Sequence, residues 1–298
     1  MKKLIFFIAC CCGPLVCSVA KEKRYIMLDM LDSLYQVKHY TLSAQELYGV
    51  DETIKLYNVF GEGLILFSML PNFYGDANWS EVNIDTIREE LFDEHGFRRT
   101  MSARLMSGNS GDKKTLRFGL IKSDNGRHYK STHCLTEFFH LVSYSSIFNS
   151  PYGTVNTGQS PLTIREMAAL YQDEPGFGKP GQRWFPLDVR LPWTYLPEWW
   201  LLQREYLSEV FEWQGEKAYR FWTFTDWRNH DGLNIHRGID RFVYMPGKGI
   251  VGGSYDFYFL FEENWGFIDK GRARHNKTKE QLWENILDEK VMLATEGF

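Results

Sequence analysis

Cysteine is almost absent from this sequence once its first twenty residues are set aside. Of its five cysteines, four lie at positions 10, 11, 12 and 17, and the fifth is Cys134. A chain left with one cysteine forms no internal disulfide. The stability of residues 21–298 must therefore come from a buried core, and a chain of this length is long enough to build one.

Long apolar runs are also lacking, apart from one at the N-terminus. Lys2 and Lys3 precede that run, a Gly-Pro pair interrupts it, and small residues lead up to Ala20. This order is typical of a secretory signal peptide, and the run is shorter than the roughly 20 residues that cross a bilayer. We therefore expect residues 1–20 to be a cleaved signal peptide. The mature protein is then soluble, without a membrane span, and periplasmic or secreted.

Positive charge is in deficit. The formal net charge is −4, and removal of Lys2 and Lys3 with the leader makes the balance more acidic still. An acidic chain is a poor match for nucleic acid or for an anionic membrane surface. No phosphate-binding glycine motif is present, and we expect no cofactor. A protein or glycan of the cell envelope is the partner class that remains.

Internal repeats and low-complexity tracts are missing, so the organisation must be taken from local patterns. The segment 173–197 contains five prolines and three glycines, a composition that favours irregular structure. We predict an N-terminal α+β region over 21–172, an irregular connection over 173–197, and an aromatic-rich β region with a C-terminal helix over 198–298.

Alternating apolar residues around turn sequences predict hairpins, and longer periodic stretches predict helices. The predicted hairpins are 53–70, 98–122, 209–224 and 240–261. The predicted helices are 82–95 with Asn83 as its cap, 131–147, 160–172, and one opened by the capping box at Thr278. Together these elements predict an α+β fold of predominantly antiparallel β-hairpins with three to four helices, in one or two subdomains.

Cys134 is a candidate nucleophile, because the helix predicted over 131–147 places it in the first turn. There the helix dipole and unpaired N–H groups favour a thiolate. A cysteine hydrolase also needs a histidine base and a group that orients it, and His236 with Asp240 could serve. The alternative is that Cys134, beside several apolar residues, is a small buried core residue.

Four potential metal ligands lie between Asn229 and Asp240. They are His230, Asp231, His236 and Asp240, and zinc accepts such nitrogen and oxygen donors. The same stretch is rich in turn-forming residues, so a solvated polar loop is the competing interpretation. We therefore predict no metal site.

Aromatic residues are abundant, at 16% of the chain, and nine of the ten tryptophans lie between Trp184 and Trp283. Such rings could form a stacking platform for sugars or a protein-binding surface, or they could fill a core that has no disulfides. Trp199 and Trp200 are the best candidates for exposed binding residues.

Two classes of function follow from these patterns. The first is an exported binding or interaction protein of the periplasm or cell exterior, which could act as an inhibitor of a secreted enzyme. The alternative is a cysteine- or metal-dependent hydrolase that acts on cell-envelope polymer, with Cys134, His236 and Asp240 as its catalytic candidates.

Overall fold

Strands dominate the computed structural model, and the helices between them are short. The structure describes residues 23–30, 36–61, 63–73, 75–106, 114–145, 153–171, 205–226, 229–230, 233–234, 237–259 and 274–295. Strand accounts for 49% of it and helix for 23%. The predicted α+β class, with three to four helices among hairpins, is therefore wrong. The protein is mostly β-sheet.

The described residues fold into strands and helices that are numbered from the N-terminus. The strands are β1 (Tyr25–Met27), β2 (Gln36–Ser43), β3 (Thr53–Gly61), β4 (Leu64–Pro71), β5 (Trp79–Val82), β6 (Lys114–Thr115), β7 (Gly119–Asp124), β8 (Arg127–Ser131), β9 (Leu135–Val142), β10 (Thr154–Asn156), β11 (Glu205–Trp213), β12 (Glu216–Asp226), β13 (Asn229–His230), β14 (Leu233–Asn234), β15 (Arg237–Met245), β16 (Gly249–Gly253) and β17 (Met292–Leu293). The α-helices are α1 (Gln45–Tyr48), α2 (Ile84–Ile87), α3 (Glu94–Met106), α4 (Ile164–Tyr171), α5 (Asp256–Phe259) and α6 (Lys279–Leu287), and short 3₁₀ helices span Leu28–Met30, Gly75–Asn78 and Arg88–Glu90.

These strands form three sheets and a small ribbon. The strand order is β1-β7-β8-β5 in the first sheet and β11-β12-β15-β16-β17 in the third. The central sheet has the order β10-β9-β4-β3-β2, with β6 also paired to β9, and β13 pairs with β14 alone. Among the described strands, β1–β7 and β9–β10 pair in parallel, and the remaining pairs are antiparallel.

The central sheet is covered on both faces. On β4, Leu66 and Leu70 belong to a core cluster shared with the first sheet and α3. Ile65, Phe67 and Met69 belong to a second cluster shared with the third sheet, because successive side chains of a strand point to opposite faces. A third cluster lies between the outer face of the third sheet and helices α4 and α6. The order of layers is therefore first sheet, central sheet, third sheet and helices.

A buried amide ties the central sheet to the third sheet. Asn58 of β3 is fully buried, and its Nδ2 donates to the carbonyl oxygen of Ile250 on β16 at 2.9 Å. The amide N–H of Ile250 donates to Asn58 Oδ1 at 2.7 Å. Gly249 has φ 85°, and a Cβ at this position would lie 2.5 Å from Asn58 Oδ1. A glycine is therefore required where the amide meets β16.

Three of the predicted hairpins are present as pairs of neighbouring strands. They are β3–β4, β11–β12 and β15–β16. The turn between β11 and β12 places Gln214 and Gly215 at φ 51° and 78°. Two consecutive residues with positive φ are the geometry that suits a tight hairpin, because it matches the twist of the strands.

The helix predicted over 131–147 is wrong, because β9 occupies most of this stretch. Its apolar residues serve two cores: Leu135 and Phe139 face the third sheet, and Phe138 faces the first sheet. A strand that is buried on both faces loses the simple apolar-polar alternation. Its apolar spacing then imitates a helix.

The segment from 82 to 122 also differs from the prediction. Asn83 caps a helix as expected, accepting a hydrogen bond from the amide of Asp85, but α2 lasts for one turn only. The strand predicted over 98–106 is wrong, because α3 occupies it and buries Phe97 and Met101, four residues apart, against the central sheet. The strand predicted through 255–261 is wrong at its start, where α5 lies.

Two helices later in the chain agree with their predictions. The capping box at Thr278 is present and opens α6, which buries Leu282, Trp283 and Ile286. Helix α4 lies within the predicted range 160–172. None of the helices in the described part of the chain has the length and apolar character needed to cross a bilayer.

The core between the central and third sheets contains residues from both predicted regions. Its members run from Tyr40 to Val155 and from Leu207 to Ala294. The predicted signal peptide (1–20) and the predicted irregular connection (173–197) lie outside the described residues. The two sides of the predicted boundary nevertheless share one core.

Candidate functional site

A small cavity lies between the central and third sheets. Its volume is about 20 Å³. This is enough for one water-sized group, since a site needs about 10–15 Å³ to hold a water. The residues that line it are Phe67, Met69, Leu135, Glu137, Phe139, Asp240, Arg241, Phe242, Ser254 and Tyr255. Polar residues of several kinds, namely two acids, an arginine, a serine and a tyrosine, thus line a space whose other walls are phenylalanine, methionine and leucine.

Strand register explains how the acidic residues come together. On β9, Glu137 pairs with Phe67 of β4 and points in the same direction as Leu135 and Phe139, towards the third sheet. On the third sheet, Asp240 of β15 pairs with Thr223 of β12, which in turn pairs with Glu205 of β11.

Cross-strand partners share a face, so Glu205, Thr223 and Asp240 form a row across the third sheet. Glu205 is fully buried and Asp240 is 9% exposed, whereas Glu137 is partly exposed. Negative charge can therefore reach the cavity from both sheets, and Glu137 is its most accessible polar group.

Tyr255 contributes a buried hydroxyl that has no hydrogen-bond partner in the described structure. The residue is 7% exposed, and burial, Glu137 and Asp240 together raise the pKa of its phenol well above the ordinary value. A Cβ at Gly253 would lie 2.8 Å from the Tyr255 hydroxyl. The glycine therefore leaves the room that the tyrosine hydroxyl occupies.

Glu205 connects the edges of the two sheets. Its Oε1 accepts from the amide of Gly153 and its Oε2 from the amide of Thr154, each at 3.0 Å. Burial raises the pKa of Glu205 to about 8, in spite of these two donors, and the charge of Glu137 acts in the same direction. The influence of Glu137 on Glu205 means that the two carboxyl groups are electrostatically coupled.

Arg241 also lines the cavity, and its guanidinium is paired with a carboxylate. Arg241 is 2% exposed, and its Nη1 lies 3.0 Å from Asp256 Oδ2. The same nitrogen donates to the carbonyl of Ile239, and the Tyr48 hydroxyl donates to Asp256. The Arg241 guanidinium is thus engaged by the Asp256 carboxylate and by a backbone carbonyl.

Cys134 does not have the environment that the sequence predicted. It immediately precedes β9, is 4% exposed, and belongs to the core cluster on the opposite face of the central sheet from the cavity. Burial raises the pKa of its thiol to about 11, although Thr136, Ser68 and Ser131 hydrogen-bond to the sulfur. The premise of a helix N-terminus is wrong, and the raised pKa disfavours a thiolate.

Of the other catalytic and binding candidates, only Asp240 lies among the described residues, and it lines the cavity. His236, Trp199 and Trp200 lie outside the described residues, and their predicted roles stay predictions. His230 of β13 is the cross-strand partner of Leu233 in the small ribbon. In the part of the chain that the structure describes, no three His, Cys, Asp or Glu residues are grouped to hold a metal ion.

The sequence did not point to Glu137, Glu205 or Tyr255. Glu137 lies in the stretch that was predicted as a helix over 131–147, whereas the structure places it on β9. The signal that could have found Glu137 is the strand pattern itself. Charged or polar residues between apolar ones, in strands buried on both faces, mark positions with a special environment.

Comparison with protein-family models, with curated proteins and with solved structures gives no match for this chain. Inference about its function therefore starts from the geometry of the cavity.

Proposed function

We propose that this is a binding protein of the periplasm or cell exterior, which admits one small polar group of a ligand into the cavity between its central and third sheets. The observation that carries the proposal is the hydroxyl of Tyr255, which has no hydrogen-bond partner among the described residues. A buried hydroxyl without a partner costs about 1–3 kcal/mol of stability. A ligand that hydrogen-bonds to Tyr255 would remove this cost on binding.

The surroundings of Tyr255 suit binding better than acid-base catalysis. Glu205 has a pKa near 8, which would suit a general acid. Its two oxygens, however, are both engaged by backbone amides, and its side chain is fully buried. A catalytic acid must reach the atom that it protonates, and Glu205 is not among the residues that line the cavity. Binding is therefore the function we propose.

Replacement of Tyr255 by Phe tests the proposal, because it removes the hydroxyl and keeps the ring. Native mass spectrometry of the mature protein, incubated with envelope components smaller than about 1 kDa, should detect one bound species per chain. Tyr255→Phe should weaken that binding about tenfold, the effect of losing one hydrogen bond in a buried site. Tyr219→Phe, a change of a buried tyrosine on β12 that does not line the cavity, is the matched control.

Two results would contradict the proposal. Either no small component binds, or the Tyr255→Phe and Tyr219→Phe proteins bind it equally well. The location is tested separately by N-terminal sequencing of the protein from fractionated cells. Export predicts a first residue at Lys21 in the periplasmic or culture fraction, whereas a cytosolic protein that starts at Met1 would refute it.

A further inference from the structure

Strand β11 forms one edge of the third sheet, and only its first half is covered by other described residues. The amide of Leu162 donates to the carbonyl of Leu207 at 2.8 Å. The Gln159 side chain donates to the carbonyl of Glu205 and accepts from the amide of Leu207. In the second half, Glu209–Trp213, the strand's backbone is bonded to β12 and to no other described residue.

The hairpin register decides which backbone groups of the second half point away from the sheet. Trp213 and Glu216 flank the two turn residues of the hairpin, and such a closing pair exchanges both of its N–H···O bonds. Bonded and non-bonded pairs alternate along an antiparallel ladder. Val210 and Glu212 therefore turn their N–H and C=O groups outward. The same alternation, continued past the bulge, turns Leu207 outward, as its bonds to the covering segment show.

The side chains of this half leave the edge accessible. Val210 is 41% exposed, and the other exposed large hydrophobic residue in the described part of the chain is Tyr144, at 46%. Glu209 and Glu212 are also exposed. Lys and Pro, which commonly block the edges of sheets, are absent from positions 209–213. The second half of β11 is therefore able to accept another strand.

A second copy of β11 complements this edge when the two strands run antiparallel about a two-fold axis at Phe211. Val210 then lies opposite Glu212 of the second copy on both sides of the axis, and the outward backbone groups of both residues are used. An axis at Val210 would pair Val210 only with itself. An axis at Glu212 would place two like charges directly opposite each other, which is destabilising.

The side chains favour the same axis. It places the two Phe211 rings opposite each other, and cross-strand aromatic pairs stabilise sheets. Arg220 stacks on Phe211 with its guanidinium carbon 5.3 Å from the ring centroid, and it pairs with Glu209 at 2.8 Å. Glu209 is thus balanced within its own chain, and it lies opposite Trp213 of the second copy. No carboxylate in Glu209–Trp213 meets another carboxylate across the axis.

We propose that the second half of β11 is a dimerisation edge, at which two copies of this chain join their third sheets about a two-fold axis at Phe211. Self-complementary contacts of this kind build two-fold dimers, the commonest oligomers. The contact is short, so the dimer should be weak and should dissociate on dilution. The dimer does not involve the cavity, and its absence would leave the proposed function unchanged.

Sedimentation velocity of the mature protein over a series of concentrations should show a monomer–dimer equilibrium. Val210→Glu should raise the dissociation constant about tenfold, because the axis repeats the new contact between like charges twice. Val210→Lys should lower the constant, because the new cation lies opposite Glu212. Tyr144→Lys, at the other exposed large hydrophobic residue, should leave it unchanged. Far-ultraviolet circular dichroism checks that each variant folds.

Cysteine cross-linking tests the position of the axis. Directly opposite residues in a non-bonded antiparallel pair have Cα atoms about 4.5 Å apart, which is within the range of a disulfide. Phe211→Cys should therefore form a disulfide-linked dimer on mild oxidation, as non-reducing electrophoresis can show. Val210→Cys is the control, because its two copies lie diagonally across the axis, at or beyond the limit of about 7 Å. Cys134 is buried and does not compete.

Three results would overturn the inference. The first is a protein that stays monomeric at every concentration, which would leave the edge to a strand of a different protein. The second is a Val210→Glu protein that dimerises as strongly as the wild type. The third is cross-linking of Val210→Cys as readily as Phe211→Cys, which would mean that the two copies meet in another register.

Discussion

The two spaces on either side of the central sheet are built by the same strands and differ in how their polar groups are satisfied. Towards the first sheet, Ser68 and Thr136 bond to each other at 3.1 Å, and Ser131 accepts from the amide of Leu120 at 2.9 Å. Towards the third sheet, Tyr255 has an unpartnered hydroxyl beside Glu137 and Asp240.

This difference separates a structural core from a candidate site within one stack of sheets. Alternate residues of β4 and β9 supply both spaces, so neither composition nor strand position distinguishes them. What differs is whether the hydrogen-bonding capacity is used up within the chain. Buried polar groups in protein interiors normally have hydrogen-bond partners. Where the chain leaves such a group without a partner, a ligand can supply the hydrogen bond.

The space between the central and third sheets, with its buried carboxyl groups, is called the acidic space below. The largest effect that we expect there is that the free energy of unfolding falls as pH rises, because of Glu205. Glu205 has a folded-state pKa of about 8, above its value in the unfolded chain. The unfolded state therefore releases its proton first, and the stabilising contribution is complete below about pH 4.5 and lost as pH rises through 8. The free energy of unfolding should fall by on the order of 5 kcal/mol across this range.

Urea denaturation at pH 5, 6.5 and 8 measures this dependence. Glu205→Gln provides the control, because the glutamine side chain at position 205 does not ionise. The slope with pH should be much smaller in the variant. If the wild-type protein and Glu205→Gln show the same slope, the pH dependence comes from another group, and the description of the acidic space is wrong in this respect.

The next largest effect should come from Glu205→Ala. The change leaves the amides of Gly153 and Thr154 without their acceptors and opens a cavity, and we expect a loss of about 3 kcal/mol in the free energy of unfolding. Glu209→Ala on the same strand removes an exposed ion pair with Arg220 and should cost less than about 1 kcal/mol. Equal losses measured by urea denaturation at pH 6 would argue against the bridging role of Glu205.

Tyr255 and Tyr258, two buried tyrosines of the core between the central and third sheets, offer a sharper comparison. The Tyr258 hydroxyl accepts from the amide of Leu135 at 2.9 Å and donates to the carbonyl of His133 at 2.7 Å. Tyr258→Phe should therefore lower the free energy of unfolding by about 1–2 kcal/mol, whereas Tyr255→Phe should raise it by up to about 1 kcal/mol without ligand. Thermal unfolding monitored by circular dichroism measures both, and a loss in Tyr255→Phe would mean that its hydroxyl has a partner.

The smallest effect is expected at Cys134, on the other side of the central sheet. Its burial and its raised pKa should keep the thiol unreactive towards iodoacetamide in the native protein between pH 7 and 9. Labelling should become complete once urea unfolds the chain, as mass spectrometry can show. Rapid labelling of the native protein would instead revive the thiolate interpretation and weaken the contrast between the two spaces.

The sequence allowed prediction of features that local chemistry decides. The hairpin turn at Gln214 and Gly215 and the capping box at Thr278 follow from a few adjacent residues, and both are present. The strand β9 could not be predicted in this way, because its apolar spacing depends on two other sheets covering it. A helix prediction at Cys134 then suggested a nucleophile that its actual position does not support.

The candidate site was even less accessible to prediction. Asp240 was chosen as a group that could orient His236, and it lines the cavity for a different reason, the register of β15 with β12. Glu137 and Tyr255 reach the same space from separate strands and turns. Such convergence is set by tertiary pairing, which no short pattern of residues encodes.

The side-chain amide of Asn58 fixes the distance between the central and third sheets next to the cavity. Asn58 stands directly beside Phe67 in the register of β3 and β4, and Phe67 is one wall of the cavity. The Asn58 side chain hydrogen-bonds to both the carbonyl and the N–H of Ile250. The two sheets therefore cannot slide or separate at this point without breaking two hydrogen bonds at once. Asn58, which does not line the cavity, thereby fixes the separation of the two sheets. That separation limits the size of the ligand group that the neighbouring cavity can hold.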